Sequence, residues 1–185
     1  MICIVGEQGS GKSTLANELE KFGYEKVVTY TSRPPREGEV DGEDYHFKSR
    51  EFFESKRDQF LEISEYRGWL YGCMTKDFHQ NSVVVLTPAG MRRLIDYEYE
   101  ASFNEPLDVY TVYLMVSRRQ RLIKLLSTRE DIDEILRRDM TEIGQFDGIV
   151  NEVDCTYMND NYMLPPTEMA KLIKGDFDNA KTKEK

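Results

Sequence analysis

The start of the chain contains a pattern suited to holding phosphate groups. Residues 6–14 have the sequence Gly-Glu-Gln-Gly-Ser-Gly-Lys-Ser-Thr and match G-x-x-x-x-G-K-[ST]. Glycines let the backbone fold tightly, so that successive N–H groups can point at phosphate oxygens. Lys12 is then expected to reach the outer phosphates, and the Ser13 hydroxyl to contact Mg²⁺. The residues expected to bind a nucleoside triphosphate are Gly6, Gln8, Gly9, Ser10, Gly11, Lys12, Ser13 and Thr14.

A second segment, from Thr31 to Phe47, combines cationic side chains with a stiff backbone. Arg33 and Arg36 lie on either side of two prolines. Two guanidinium groups on such a loop can clamp a phosphate with forked hydrogen bonds at little ordering cost. The Tyr45 hydroxyl can add a donor. This segment therefore predicts a second phosphate site.

Together the two segments resemble the guanylate kinase family. In that family the second segment is close to T-T-R-x-P-R-x-G-E-V-x-G-x-D-Y-x-F; this chain differs at Ser32 and matches almost throughout at the later positions. Residues 60–62 and 68–72 are similar to the family's F-[IL]-E…G-x-x-Y-G. The resemblance extends over most of the chain. It implies an α/β fold of the P-loop three-layer α/β/α type, with a parallel core sheet, an inserted lobe that binds the nucleoside monophosphate, and a helical lid.

The same resemblance implies a reaction, in which the γ-phosphoryl group of ATP moves to GMP or dGMP and gives (d)GDP. By analogy, Glu62 accepts hydrogen bonds from guanine N1 and N2, which are adjacent donors, and Glu39 orients the arginines. Asn159 resembles a family Asn near adenine. The residues expected to hold the monophosphate are Arg33, Arg36, Tyr45 and Tyr71, and those expected near the base are Thr29, Glu62, Cys73 and Thr87.

Two places depart from the family pattern. The residue after Tyr71-Gly72 is usually Ser or Thr and here is Cys73, which is a weaker hydrogen-bond donor. The family strand commonly contains D-x-D, and Val85 and Thr87 stand at those positions. In the family one carboxylate helps to organise Mg²⁺ and the other helps to recognise guanine. A relaxed or shifted base preference is therefore open at this point.

A basic stretch in the second half resembles the family's mobile lid, whose arginines fold over the triphosphate. Arg121, Arg129 and Arg138 match the family positions best, with Arg137 as a competitor for Arg138. With Lys12 these three arginines are the predicted catalytic residues, because cations stabilise the charge that spreads during phosphoryl transfer. No general base is needed, since a phosphate monoester has a second pKa of about 6 and is largely deprotonated at pH 7.

Apolar periodicity predicts strands alternating with helices, and hence a parallel sheet covered on both faces. The predicted strands are residues 1–5, 26–30, 44–47, 60–66, 69–73, 82–86, 109–116 and 154–158. The predicted helices are residues 12–22, 50–57, a helix starting at Pro88 and capped by Thr87, 118–126, about 131–147 and 168–174; residues 127–130 resemble a capping box.

These elements predict a single domain over residues 1–174. Its expected core comprises residues 1–30, 82–116 and 139–174, with the monophosphate-binding lobe at 31–81 and the lid at about 117–138. Residues 175–185 are expected to form a flexible tail.

Composition excludes several classes of function. With 34 acidic and 25 basic residues the formal charge is −9, so nucleic acid is not an expected partner. No run approaches the roughly 18 apolar residues of a membrane helix, and residues 1–6 lack the basic region of a signal peptide. Three separated cysteines and two histidines predict neither disulfides nor a His-rich metal cluster. The expected protein is a cytoplasmic monomer or homodimer whose partners are nucleotides.

Two alternatives remain open from the sequence. One is a related small-molecule kinase, such as a ribose bisphosphate phosphokinase or a nucleotide kinase with a different base choice. The other is a non-catalytic guanylate kinase-like interaction module. The intact Lys12 and Ser13 argue against the module, and the missing aspartates keep it open.

Overall fold

Two β-sheets and six helices organise the computed structural model, which describes residues 1–100, 107–128 and 132–183. The strands are β1 (Ile2–Val5), β2 (Glu25–Lys26), β3 (Tyr30–Thr31), β4 (His46–Phe47), β5 (Phe60–Tyr66), β6 (Trp69–Met74), β7 (Ser82–Val85), β8 (Tyr110–Met115) and β9 (Cys155–Met158). The helices are α1 (Lys12–Glu20), α2 (Arg50–Ser55), α3 (Pro88–Glu100), α4 (Arg118–Thr128), α5 (Ile132–Glu142) and α6 (Pro166–Lys183).

The five-stranded sheet has the order β2-β7-β1-β8-β9, and all its strand pairs are parallel. The residues of β1 alternate between two apolar clusters. Ile2 and Ile4 pack with side chains of α1 and α6, whereas Cys3 and Val5 pack with side chains of α3. Burial on both faces explains why β1 is apolar throughout. The predicted three-layer α/β/α class with a parallel core sheet is therefore confirmed.

The four-stranded sheet has the order β4-β3-β6-β5. Its β5–β6 hairpin turns at Arg67 and Gly68, which both have positive φ, as a tight hairpin turn requires. Tyr30, Phe53 and Phe60 pack in the apolar cluster beneath this sheet. The Ser49 hydroxyl accepts a hydrogen bond from the N–H of Phe52 and so caps α2.

The predicted strand at residues 26–30 is divided between the two sheets. Glu25–Lys26 pairs with β7 in the parallel sheet, and Tyr30–Thr31 pairs with β4 and β6 in the other. The chain therefore crosses from the core sheet to the smaller sheet over three residues. Apolar patterning could not reveal this division, because both halves are extended and partly buried.

The prediction of a flexible tail from residue 175 is wrong. Helix α6 continues to Lys183, and Phe177 is buried against Tyr24 and Tyr110, with ring centroids 6.3 and 5.6 Å apart. The apolar stripe of the predicted helix continues through Phe177, so the same helical face packs on the parallel sheet. Gly175 does not end the helix, because it lies within it.

The predicted capping box is also misplaced. The Ser127 and Thr128 hydroxyls donate to the carbonyl of Lys124 at 2.8 Å, within the last turn of α4. The other two residues of the box lie outside the described part of the chain. Helix α5 ends at Glu142, and turns follow it where the prediction continued the helix.

Across the described ranges, no helix combines the length and the apolar character needed to cross a bilayer.

Candidate functional site

The loop between β1 and α1 has the backbone that its glycines permit. Gly9 and Gly11 have φ of 83° and 104°, in the left-handed region. A Cβ on Gly6 would lie 2.6 Å from the carbonyl oxygen of Leu114, so no larger residue fits there. The loop leads directly into the N-terminus of α1, where backbone N–H groups and the helix dipole favour an anion.

The loop also contains buried polar groups that fit a ligand. Within the described residues, Ser10 Oγ and both polar side-chain atoms of Gln8 have no hydrogen-bond partner. Buried polar groups of this kind are costly unless they are satisfied. Lys12 Nζ donates to the carbonyl of Glu7 at 2.8 Å, and burial lowers the pKa of Lys12 to about 8. The loop therefore fits the polyphosphate that the sequence motif predicts.

Arg121 lies beneath this loop and not on the surface of the predicted lid. Its side chain is buried and donates to the carbonyls of Gln8 at 3.0 Å and Val116 at 3.1 Å. Three carboxylates lie 3.8–3.9 Å from the guanidinium, those of Glu7, Asp139 and Glu142. Arg121 therefore stabilises the conformation of the loop through its hydrogen bond to the Gln8 carbonyl.

Sequence reasoning missed two contacts to the loop. The N–H of Gln8 donates to both carboxylate oxygens of Glu142, at 2.8 and 3.0 Å. The hydroxyl of Tyr162 donates to the carbonyl of Gly9 at 2.8 Å, and Lys124 Nζ lies 3.9 Å from the centroid of the Tyr162 ring. No local motif marks either residue, because each reaches the loop only through the tertiary fold.

In the arginine segment, Glu39 holds the guanidinium of Arg33 and the backbone of Arg36. Its carboxylate accepts from the guanidinium of Arg33 at 2.8 Å and from the backbone N–H of Arg36 at 2.7 Å. These hydrogen bonds, the one from Arg33 above all, lower the pKa of Glu39. Arg33 is buried and lies 5.6 Å from the centroid of the Tyr45 ring, whereas the side chain of Arg36 is exposed.

A cavity of about 310 Å³ connects the loop with the smaller sheet. The Tyr45 and Tyr71 rings, 6.1 Å apart, lie on its wall. Nine predicted site residues line it, namely Gly6, Lys12, Thr29, Tyr45, Glu62, Tyr71, Cys73, Thr87 and Arg138. A second cavity of about 330 Å³ lies over the loop and includes Gln8, Gly9, Gly11, Lys12, Ser13, Thr14 and Arg138. The predicted site residues that line neither cavity are Ser10, Arg33, Arg36, Glu39, Arg121 and Asn159.

Glu62 forms the polar end of the first cavity. Its carboxylate accepts from the Thr87 hydroxyl at 3.3 Å, and burial raises the pKa of Glu62. Thr87 also caps α3, because its hydroxyl accepts from the N–H of Gly90 at 3.0 Å. The thiol of Cys73 is buried beside Glu62, and burial raises its pKa to about 12, so it stays a neutral group.

The two competing lid arginines, Arg137 and Arg138, differ in whether they line the two cavities described above. Arg138 lines both cavities, and its Nε lies 2.9 Å from a Glu134 oxygen. Arg137 lines neither of these two cavities. Both guanidinium groups pack on the Tyr66 ring, at 4.3 Å for Arg137 and 4.5 Å for Arg138, and both line a third cavity of about 660 Å³. Arg129, the other predicted lid arginine, lies outside the described residues.

Asn159 is occupied by the backbone of its own loop. Its amide donates to the carbonyl of Leu164 at 3.0 Å and accepts from the Leu164 N–H at 2.9 Å. The side chain is buried. With these two hydrogen bonds, the Asn159 side chain stabilises the turn that follows β9.

Ser13 is the residue suited to contact Mg²⁺. Its side chain is exposed at the start of α1 and lines the cavity over the loop. No group of three His, Cys, Asp or Glu residues suited to a metal occurs in the described ranges. A single hydroxyl nevertheless fits Mg²⁺, which usually keeps several waters and takes its other ligands from substrate phosphates.

Comparison with known proteins identifies one family. The family model described as "Guanylate kinase" matches residues 1–100. The guanylate kinase of Rhodopseudomonas palustris (strain BisB5) is 31% identical over 185 residues, covering 95% of this chain and 82% of the relative. That of Blochmanniella floridana is 29% identical, with coverage of 94% and 88%. The crystal structure of guanylate kinase from Anaplasma phagocytophilum superimposes with a TM-score of 0.68 at 20% identity, covering 97% of this chain and 85% of that one.

Proposed function

This chain belongs to the guanylate kinase family, and from this premise we propose that it transfers the γ-phosphoryl group of ATP to GMP or dGMP. One observation carries the proposal. The cavity of about 310 Å³ is lined by Lys12 of the phosphate loop and by Glu62 of the smaller sheet. A nucleoside monophosphate between them would present its phosphate to the loop and its base to the carboxylate.

On the donor side, the loop from Gly6 to Thr14 would bind the phosphates of ATP through its backbone N–H groups. Lys12 would neutralise charge on the outer phosphates. Ser13 would hold Mg²⁺ together with phosphate oxygens and water, and bound Mg²⁺ would stabilise the negative charge on the phosphoryl oxygens. Arg121 would keep the loop in shape, since it bonds to the carbonyl of Gln8.

On the acceptor side, Arg33 is already oriented by Glu39 at 2.8 Å. We assign the monophosphate to Arg33, Arg36, Tyr45 and Tyr71, with Thr29 near the base. Glu62 would accept hydrogen bonds from the guanine donors. No side chain has to remove a proton, because the attacking phosphate oxygen is already largely ionised at pH 7, given a second pKa of about 6.

We also propose how the domain is divided around the two cavities. Residues 31–81 would form the monophosphate-binding lobe, and about 117–138 the lid. Arg138, which lines both cavities, would bridge the two nucleotides, and Arg129 would join it from the lid. Closure would exclude water and limit hydrolysis of ATP.

The test is a coupled assay of the purified protein with ATP and each nucleoside monophosphate in turn. We expect turnover with GMP and dGMP that exceeds turnover with AMP, CMP and UMP. No turnover of any monophosphate by folded protein would contradict the kinase proposal.

A second candidate is a kinase of the same family with a different base choice. It is favoured by the Thr87 hydroxyl, which donates to Glu62 at 3.3 Å where the family usually has a carboxylate. Equal turnover of several bases, or turnover of a base other than guanine, would select this candidate over the first.

Replacing Gly90 with alanine is expected to raise the KM for GMP about 10- to 100-fold, since misplacing a contact by about 1 Å can cost this much. A Cβ at this position would lie 2.7 Å from Cδ of Glu62, so the carboxylate must move. The fold should persist, because the displaced atoms end a flexible side chain and alanine is a better helix former than glycine by about 1 kcal/mol.

The matched control for this prediction is Gly175→Ala. Gly175 also lies inside a helix, α6, and nothing lies within 4 Å of its added Cβ. We expect unchanged kinetics in that variant and a similar change of melting temperature in both. An unchanged KM for GMP in Gly90→Ala would contradict the role of Glu62 in binding the base.

A further inference from the structure

The carboxylate of Glu142 lies at the phosphate loop in the place of an anion. The N–H of Gln8, a donor of the loop itself, donates to both Glu142 oxygens at 2.8 and 3.0 Å. Glu142 lines the cavity over the loop and also the cavity that reaches Glu62. The Glu142 carboxylate therefore lies where the two proposed nucleotide sites meet.

The cationic side chains around Glu142 are groups that would also attract a bound polyphosphate. Lys12 and Arg121 both attract its carboxylate, and Arg121 Nη1 lies 3.8 Å from it. Glu7 is the opposing charge on the loop. Burial nevertheless raises the pKa of Glu142. Desolvation therefore disfavours the charged carboxylate at this position, while Lys12 and Arg121 favour it.

A phosphate and this carboxylate cannot share the same donor. Each would accept from the N–H of Gln8, and each is negative, so their repulsion in a partly buried site is substantial. The Glu142 side chain is only 23% exposed. Binding of ATP therefore requires the carboxylate of Glu142 to leave the N–H of Gln8.

We propose that Glu142 is an internal competitor of the triphosphate, which holds the phosphate loop through Gln8 until ATP displaces it. This inference rests on the proposed ATP site and adds a residue that sets its affinity. Because Glu142 is the last residue of α5, the helix that also contains the predicted lid residue Arg138, its release would also detach the end of this helix from the loop. Binding of ATP and movement of α5 would thus be coupled.

The test is calorimetric titration of the wild type and Glu142→Gln with ATP plus Mg²⁺, and separately with inorganic tripolyphosphate, which has no base. We expect the variant to bind both about tenfold more tightly, a difference of about 1.4 kcal/mol. The reason is that a neutral amide forms a weaker hydrogen bond to Gln8 than a charged carboxylate does. Glu142→Asp, which keeps the charge but is shorter by one methylene, should also bind more tightly, by a smaller factor.

Glu168→Gln is the matched control, since Glu168 is an exposed residue of α6 paired with Lys171 at 2.7 Å. It removes the same charge away from the loop and should leave both affinities unchanged. If Glu142→Gln binds ATP as weakly as the wild type, or more weakly, Glu142 supports the loop and the inference is wrong. If neither wild type nor variant binds ATP or tripolyphosphate, the proposed ATP site fails as well.

Discussion

Lys12→Ala is expected to lower kcat for phosphoryl transfer by about 10³-fold or more, on the scale of other cations that stabilise a transferred phosphoryl group. Lys12 is the cation of the loop motif and lines both cavities. Its present partner is the carbonyl of Glu7, at 2.8 Å, so the amine is free to exchange that neutral acceptor for a phosphate oxygen. The measurement is steady-state turnover of ATP and GMP at saturating concentrations of both.

Stability separates this catalytic effect from loss of the fold. Burial lowers the pKa of Lys12 to about 8, which means that the folded protein disfavours its charged form. Removing that charge at pH 7 should therefore leave the melting temperature unchanged or raise it. Lys171→Ala, at an exposed position of α6, is the control and should keep full activity. Turnover by Lys12→Ala within tenfold of the wild type would contradict the assigned role.

Glu62→Gln is expected to lower kcat/KM for GMP by about 10²- to 10³-fold. The reason is that the buried amide would leave hydrogen-bonding atoms unpaired both on the protein and on the guanine base. The carboxylate can accept from both adjacent guanine donors, whereas an amide presents its own N–H₂ to one of them. The Thr87 hydroxyl, 3.3 Å from Glu62, can still bond the amide oxygen. The measurement is kcat/KM for GMP and AMP in parallel.

The comparison with AMP identifies the cause of the loss. AMP lacks the N1–H and N2 donors, so its low turnover should change by only a few-fold. Glu54→Gln, an exposed residue of α2, is the control for the change of charge on the same lobe. A parallel loss with GMP and AMP would mean that Glu62 supports the fold of the lobe and does not recognise guanine.

Much of the candidate site could be predicted because its parts are local in sequence. The phosphate loop needs glycines at fixed positions so that consecutive N–H groups converge, and those positions are visible in residues 6–14. The same holds for Glu39, which contacts Arg33 and Arg36 within one short segment. The β5–β6 hairpin was likewise predicted from two strands separated by Arg67 and Gly68.

Other features were decided by packing between distant segments. Arg121 and Arg138 belong to the same basic stretch, yet the first is buried under the loop and the second lines both cavities. Charge and spacing alone do not distinguish them, because the difference depends on which face of α4 or α5 meets the loop. The end of α6 is a similar case, since Phe177 is ordered by its contacts with Tyr24 and Tyr110.

The sequence by itself therefore predicted the chemical groups of the candidate site, namely a phosphate loop, an arginine segment and the Glu62 carboxylate. The tertiary structure decided which groups surround that chemistry. Gln8 and Glu142 are 134 positions apart, and their hydrogen bonds exist only because α5 ends above the loop. Contacts of this kind leave no periodic or motif signal, because each partner is an ordinary polar residue in its own segment.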